Sequence, residues 1–365
     1  MPNIFEDINS AEIAAYWETK AQLEAPYLGE FLFPNEKRAT KDIDYVRGLS
    51  RAPKPLSPSA PDTKAIMRDR QGMEKIHVTT KNFKEAKYID EELREQLVRV
   101  ANSPYQAEKD LILSKIYDEP AELIRGAALV REIMRMSVLQ TGKYHIAGNG
   151  QVYDEDFEMQ ANRIAGASTA WTDKDNSKPT EDIRRAIDLI GEENGSSLTR
   201  VIMNSVTFNA LIASNGIKST LLANNANTAA VSLPRNVLTN YIADEFGLAI
   251  EVYNKGYVDE QGKMVKFIPD GNVVFLPAEN VGATVFSPTP EEIDLLARPD
   301  IDMRIVDTGV AVVTTLENDP VTTVTKVSQK VTPTFEKVDG VYVLHAFETA
   351  EKPATVQGGV TPPEA

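Results

Sequence analysis

Apolar positions take on helical spacing from Tyr105 to Gly142. In YDEPAELIRGAALVREIMRMSVLQTGK, Leu123, Ala127, Val130, Met134 and Val138 follow at steps of 4, 3, 4 and 4, one stripe of a 3.6-residue period. Asp118 stands where it can cap this helix, Pro120 fits its first turn, and Gly142 ends it. The period then drops to two. KYHIAGNGQVYDEDF predicts strands over 143–147 and 151–157 around Asn149-Gly150, a dipeptide suited to a tight hairpin turn. A helix of more than about six turns running into a hairpin predicts a rigid beam.

Before the beam the pattern is looser. A short amphipathic helix is expected over 8–23, then an extended stretch broken by proline. Pro53, Pro55, Pro58 and Pro61 follow in quick succession, and fixed φ angles without N–H groups exclude helix there. Strands over 64–70 and 75–80, joined near Gly72, would make a projecting hairpin. After the beam, TRVIMNSVTFNALI reads as strand then helix, and LPRNVLTNYIADEFG as helix. LAIEVYNKGYVDEQGKMVKFIPDGNVVFLP reads as strand, hairpin and strand. Residues from about 180 to 315 therefore predict a compact α+β lobe. VTTVTKVSQKVTPTFEKVDGVYVLHAF is rich in Val and Thr and carries an Asp339-Gly340 turn, so further strand pairing is expected. EKPATVQGGVTPPEA has too little apolar content to offset chain entropy, and a loose tail is expected.

The densest candidate chemistry lies in TAWTDKDNSKPTEDIRRAIDLI, where Asp173, Asp175, Glu181 and Asp182 stand beside Trp171. As a calcium loop it fails at the two demanding places: Lys178 stands where Gly is needed and Arg184 where a bidentate Glu is needed. The simpler reading is a helix beginning at Pro179-Thr180-Glu181-Asp182, capped by Thr180, with Ile183, Ile187 and Ile190 on its buried stripe. Gly148-Asn149-Gly150 lacks the third glycine and following helix of a dinucleotide loop. Ser168 in GASTA lacks the closing glycine of a nucleophile elbow. His77, His145 and His345 share no metal-ligand spacing. Arg68, Arg70, Lys75, Lys81, Lys84 and Lys87 concentrate around the expected hairpin and would suit an acidic neighbour.

Composition narrows the choice. A chain of 365 residues can bury roughly 70–75% of its unfolded surface. The formal net charge of −15 argues against a protein whose main task is gripping phosphates. Without cysteine there is no disulfide, thiolate nucleophile or zinc-thiolate site. The opening MPNIFEDINSAEIAAYWETK has neither a basic n-region nor an apolar h-region, and no run approaches the ~20 apolar residues of a membrane span, so a soluble protein made in the cytoplasm is expected.

The order of parts, with FLFPNEKR, Arg68-x-Arg70-x-Gly72, LQTGKY, WTDKDNSKPTEDI and GYVDEQGKMVKFIPDGNVVFL, resembles the major capsid proteins of tailed bacteriophages. The lambda-type major capsid protein E family is the nearest in kind, over about Leu28 to Leu344. The resemblance implies an α+β fold of the Hong Kong ninety-seven type. It implies an N-terminal arm at 1–52, an extended loop at 53–90, and a peripheral domain at 91–179 with return strands at 316–349. An axial domain would occupy 180–315, and 350–365 would be a flexible tail that looks additional to the lambda-type end. The implied activity is assembly into pentamers and hexamers that close an icosahedral head around packaged double-stranded DNA, without catalysis or cofactor. Implied partners are further copies of the chain, scaffolding and portal proteins and, by the same resemblance, a decoration protein; DNA would be enclosed without sequence-specific binding, and no membrane is involved. The chain would reside in the virion after assembly in the host cytoplasm. Arg68, Arg70, Gly72 and Lys75 are the candidate inter-subunit residues. The rival readings are a soluble metal-dependent hydrolase using the acidic cluster 173–182 and a monomeric acidic binding module.

Overall fold

The computed structural model describes residues 9–21, 25–47, 74–89, 106–221, 232–259, 261–295, 301–319 and 321–349, with isolated positions between 58 and 99 and Arg298. The chain opens with α1 (Ser10–Ala21), α2 (Leu28–Leu32), β1 (Asn35–Lys37), β2 (Asp42–Arg47), β3 (Glu74–Thr79) and β4 (Lys81–Ile89). The long helix α3 (Gln106–Thr141) leads into the hairpin β5 (Lys143–Gly148) and β6 (Gln151–Asp156), followed by β7 (Ile164–Ala167). Next come α4 (Pro179–Asn194), β8 (Leu198–Met203), α5 (Ser205–Ala213), α6 (Asn215–Leu221) and α7 (Arg235–Phe246). Strands β9 (Ala249–Val252), β10 (Gly256–Val258), β11 (Met264–Lys266), β12 (Asn272–Pro277) and β13 (Thr284–Ser287) precede the short α8 (Pro290–Asp294). The described chain closes with β14 (Asp302–Val306), β15 (Val310–Asn318), β16 (Val321–Pro333) and β17 (Tyr342–Thr349).

Two larger sheets organise these elements. The first runs β1-β13-β16-β15-β14, with β4 also paired to β16. Its 13-residue β16 is the central strand, bonded to β4 along one edge and to β15 and then β13, end to end, along the other. β4 pairs only with β16 among the described residues; of its lysines Lys84 is exposed, while Lys81 and Lys87 pair with Glu155 and Glu122. The second sheet runs β7-β17-β12-β8-β9. Its strands β12 and β17 are largely apolar on both faces because both faces are covered there. In β12, Val274 and Leu276 join the core around α3, while Val273 and Phe275 join the core under α4 to α7. β17 divides likewise, Val343 to the first core and Tyr342 and Leu344 to the second. Strands 284–287 and 302–315, inside the 180–315 block, pair in the first sheet, and 342–349, inside the 316–349 block, pairs in the second.

The helical spacing holds, but its start moves. Helix α3 is 36 residues long, about 54 Å at 1.5 Å per residue, and contains Pro120 in its interior. Asp118 does not cap it: the carboxylate accepts from Tyr16 Oη (2.7 Å) and Lys20 Nζ (2.6 Å), tying α1 to the long helix. The upstream QAEKDLILSKIY consists mostly of residues that favour helix, so the helix continues through it. The single stripe also widens. Met134 and Val138 are buried as expected, yet so are Arg131, Glu132, Arg135 and Gln140, because elements surround the C-terminal half of the helix. Thr180 is the second residue of α4 rather than its cap; Pro179 opens the helix and Lys178, at the cap position, makes no side-chain cap bond. The turn at Val338–Gly340 does not join paired strands, since β16 and β17 lie in different sheets.

Buried charges on α3 find partners in the arm. Glu132 accepts from Gly29 N (3.1 Å) and Tyr253 Oη (2.8 Å). Arg135 donates to Thr284 Oγ1 and Asn35 Oδ1, both at 2.7 Å, and lies 3.8 Å from Glu132. Arg131 donates to Gln329 Oε1 (2.9 Å) and Asp307 (3.0 Å), its guanidinium over the Phe286 ring. Burial raises the Glu132 carboxyl above its ordinary range and lowers Arg135 to about 10. The fit of α2 leaves no room for a side chain at Gly29, where a Cβ would stand 2.7 Å from Arg135 Cδ and closer still to Glu132 Oε2. Gly29→Ala is expected to cost about 1–3 kcal/mol by overpacking, read as a lower urea midpoint. An unchanged midpoint would show that α2 does not dock this tightly.

Helix α8 is fastened across the first sheet by Glu291, which accepts from Lys326 (2.8 Å) and Ser328 (3.0 Å). Burial alone would raise this carboxyl, but Lys326, a backbone N–H and Ser328 outweigh it and hold the group at about 2. Because the folded value lies below the ordinary 4.5, this stabilisation is present above about pH 4.5 and is lost as pH falls toward 2. The stability difference between the parent and Glu291→Gln, measured by denaturant titration across that window, is expected to shrink on acidification. A constant difference would remove the ionised clamp.

Candidate subunit interface

The candidate residues surround an antiparallel ribbon of β2 and β3, in register from Asp42 opposite Thr79 to Arg47 opposite Glu74. Its sequence DIDYVR alternates, and the burial follows: Ile43, Tyr45 and Arg47 face inward while Asp42, Asp44 and Val46 face out. Val78 packs inward beside Ile43, and Ile76 against the same core. The expected strand over 75–80 is therefore present, but its partner is β2. Of the partner stretch expected over 64–70, all but Lys64 lies outside the described residues. β2 provides the matching alternation of inward apolar and outward acidic positions that register requires.

Lys75, on the outward face, pairs with Asp44 at 2.5 Å. His77 Nδ1 lies 2.9 Å from the same carboxylate and Nε2 3.9 Å from Asp42. The Lys75 bond, then that of His77, holds the Asp44 carboxyl below its ordinary range. These groups are exposed, so the ladder contributes little to stability; it leaves a ribbon face that carries charge and no core. Arg68, Arg70 and Gly72 lie outside the described residues. Lys75 is thus bound within its own ribbon.

The inward face ends at Arg47. Its Nε and Nη2 bond to the two carboxylate oxygens of Asp339 at 3.2 and 2.9 Å, and Nη2 also donates to the carbonyl of Glu158 at 3.2 Å. Asp339 sits in the turn between β16 and β17, and its own carbonyl accepts from Asn194 Nδ2 at 2.5 Å, near the end of α4. Neither Asp44 nor Arg47 was singled out in the sequence; the period-two alternation of DIDYVR was the available signal.

The acidic stretch 169–190 resolves into structure. Asp182 is fully buried, accepting from Ser168 N (2.9 Å), Ser168 Oγ (2.6 Å) and Trp171 Nε1 (2.9 Å). Asp173 accepts from the backbone of Asp175 and Asn176 and from Asn176 Nδ2. Asp175 accepts from Asn215 and Glu181 from Lys178. Trp171 is fully buried in the core under α4 to α7, anchoring the loop. Among the described residues no group of three or more His, Asp or Glu is placed to hold a metal. Ser168 donates to the buried Asp182 carboxylate rather than to a histidine. The GNG run is a hairpin turn, with Asn149 and Gly150 at φ 49° and 72°. The histidines stay in separate strands, β3, β5 and β17, with Asp44, Asp154 and Asn272 as their respective partners.

Exposed apolar side chains gather near one end of the first sheet. Tyr88 is opposite Val324, Leu316 opposite Thr323, and Val321 opposite Asn318. Tyr88 and Leu316 are 64% and 60% exposed, unusual for large side chains.

Comparison with known families matches residues 9–312 to phage major capsid protein E. No curated protein matches the chain. Among solved structures it is similar to a protein assigned as the capsid protein of a prophage in E. coli CFT073, at 15% identity and a TM-score of 0.61, covering 93% of this chain and 99% of that one. It is also similar to a phage-related protein from Bordetella bronchiseptica RB50, at 14% identity and TM-score 0.53, over 91% and 96% of the two chains. A third is the capsid of cyanophage A-1(L), at 11% and 0.50, over 89% and 93%. The fold is thus the Hong Kong ninety-seven phage capsid type, its role is structural rather than catalytic, and self-assembly into a shell places it in the virion. With the family match extending over most of its length, this chain belongs to the phage major capsid protein E family.

Proposed function

We propose that the chain assembles into pentamers and hexamers that close an icosahedral head around packaged double-stranded DNA. The observation that carries this reading is the β2–β3 ribbon. It is fixed to the body by one face only, and from its end the segment 48–73, with its prolines, Arg68 and Arg70, leaves at Arg47 and returns at Glu74. Such a segment would gain buried surface on a neighbouring copy, through the heterologous contact that a ring repeats. Charge pairs in that contact would fix register more than affinity. The exposed Tyr88, Leu316 and Val321 are further candidates for burial between copies.

In this reading, 1–52 is the arm, 53–90 the extended loop, 91–179 with 316–349 the peripheral domain, and 180–315 the axial domain. The sheet pairing favours moving 284–315 to the peripheral side and 342–349 to the axial side. Assembly in the host cytoplasm would involve a scaffold and a portal, and a decoration protein could then bind the finished shell. The hydrolase alternative has no support in the acidic stretch, whose carboxylates are engaged in turns, caps and the Trp171 anchor.

Sedimentation and negative-stain imaging of the concentrated chain are expected to reveal rings or shells; a chain that stays monomeric at every concentration counts against the reading. Arg68→Glu combined with Arg70→Glu is expected to leave the monomer's melting temperature unchanged and to abolish closed shells. Normal shells from that variant would refute the contact assigned to the segment.

A further inference from the structure

We infer that the Arg47–Asp339 pair is a positioning device, fixing the orientation of the β2–β3 ribbon on the body of its own subunit for contact with a neighbouring copy. The inference rests on the shell reading above. A two-stranded ribbon has little stability of its own, so its direction depends on what its inward face touches. Ile43, Tyr45, Ile76 and Val78 supply apolar contact, which resists separation but is not directional. Arg47 is the last inward residue of β2, and its planar fork meets both oxygens of a carboxylate, a geometry that fixes orientation as well as distance.

The other end of the pair is equally constrained. Asp339 stands where the chain crosses from the first sheet to the second. Its side chain holds Arg47, and its carbonyl holds Asn194 beside the left-handed Gly195 that ends α4. Arg47 also donates to the carbonyl of Glu158, a non-glycine residue at φ 53° just beyond β6, and its Nη1 lies 3.8 Å from the exposed Glu158 carboxylate. Left-handed backbone at such a residue persists where its surroundings hold it there. Ribbon, hairpin exit, inter-sheet crossing and helix end thus meet at one ion pair, with the Arg47 side chain 7% and that of Asp339 4% exposed.

Burial makes the pair a poor source of net stability, because desolvation offsets much of the attraction. Replacing both partners by apolar residues of similar size therefore separates direction from stability. In the full-length chain, Arg47→Met combined with Asp339→Leu is expected to melt close to the parent and to lose closed shells, giving open sheets or misclosed particles by sedimentation and negative-stain imaging. Parent-like melting with normal closed shells would overturn the inference and leave the shell reading intact. If the double variant does not fold, Arg47→Lys decides, since it keeps the charge and loses the fork: misclosed particles support the device and normal shells overturn it. Failure of the parent itself to form particles would instead refute the shell reading, and the role of the pair with it.

Discussion

The burial of the C-terminal half of α3 is the constraint on which the rest of the fold depends. A helix enclosed on several sides cannot send its polar residues to water, so each must meet a partner inside the molecule. Arg131, Glu132, Arg135 and Gln140 do so by reaching the arm, both sheets, the loop before β12 and the turn between β14 and β15. These directional contacts specify where each neighbour sits along the beam. Apolar packing alone would tolerate sliding.

The second sheet extends the same logic. Because β12 and β17 are covered on both faces, alternate residues in one strand belong to different cores. A shift of register by one residue would exchange the two sets, putting Phe275 where Val274 belongs. The cores on either side of the sheet are therefore mechanically joined. A displacement of the helices over one face must be taken up by α3 on the other, since close-packed interiors have few voids to absorb it.

Local signals in the sequence were the ones that could be read. The α1 periodicity, the Asn149-Gly150 turn and the strand-then-helix reading of TRVIMNSVTFNALI each depend on residues a few positions apart. The failures share a different cause. β2 pairs with β3 across a long intervening segment, and nothing local to either strand names its partner. Asp118 is a good cap by its own neighbourhood, but Tyr16 and Lys20 claim it from far along the chain. The Asp339-Gly340 turn was visible; that it carries the chain between two sheets was not. At the candidate interface, the basic residues stood out by clustering, whereas Arg47 was hidden because its role depends on a carboxylate 292 positions away. The family resemblance supplied the fold type that local pattern could not.

The outer edge of β4 has a further consequence. A nine-residue strand whose outer edge pairs with no other strand among the described residues is a template for strand addition by any passing chain, and a shell protein is made in many copies at once. Lys84 and Glu85 put exposed charge at the middle of that strand, and Lys81 and Lys87 are held beside it by Glu155 and Glu122, so an added strand would have to desolvate charged groups along its length. Crowded subunits are thereby turned away from fibril-like stacking, and the growth of an ordered particle is protected against its most direct competitor.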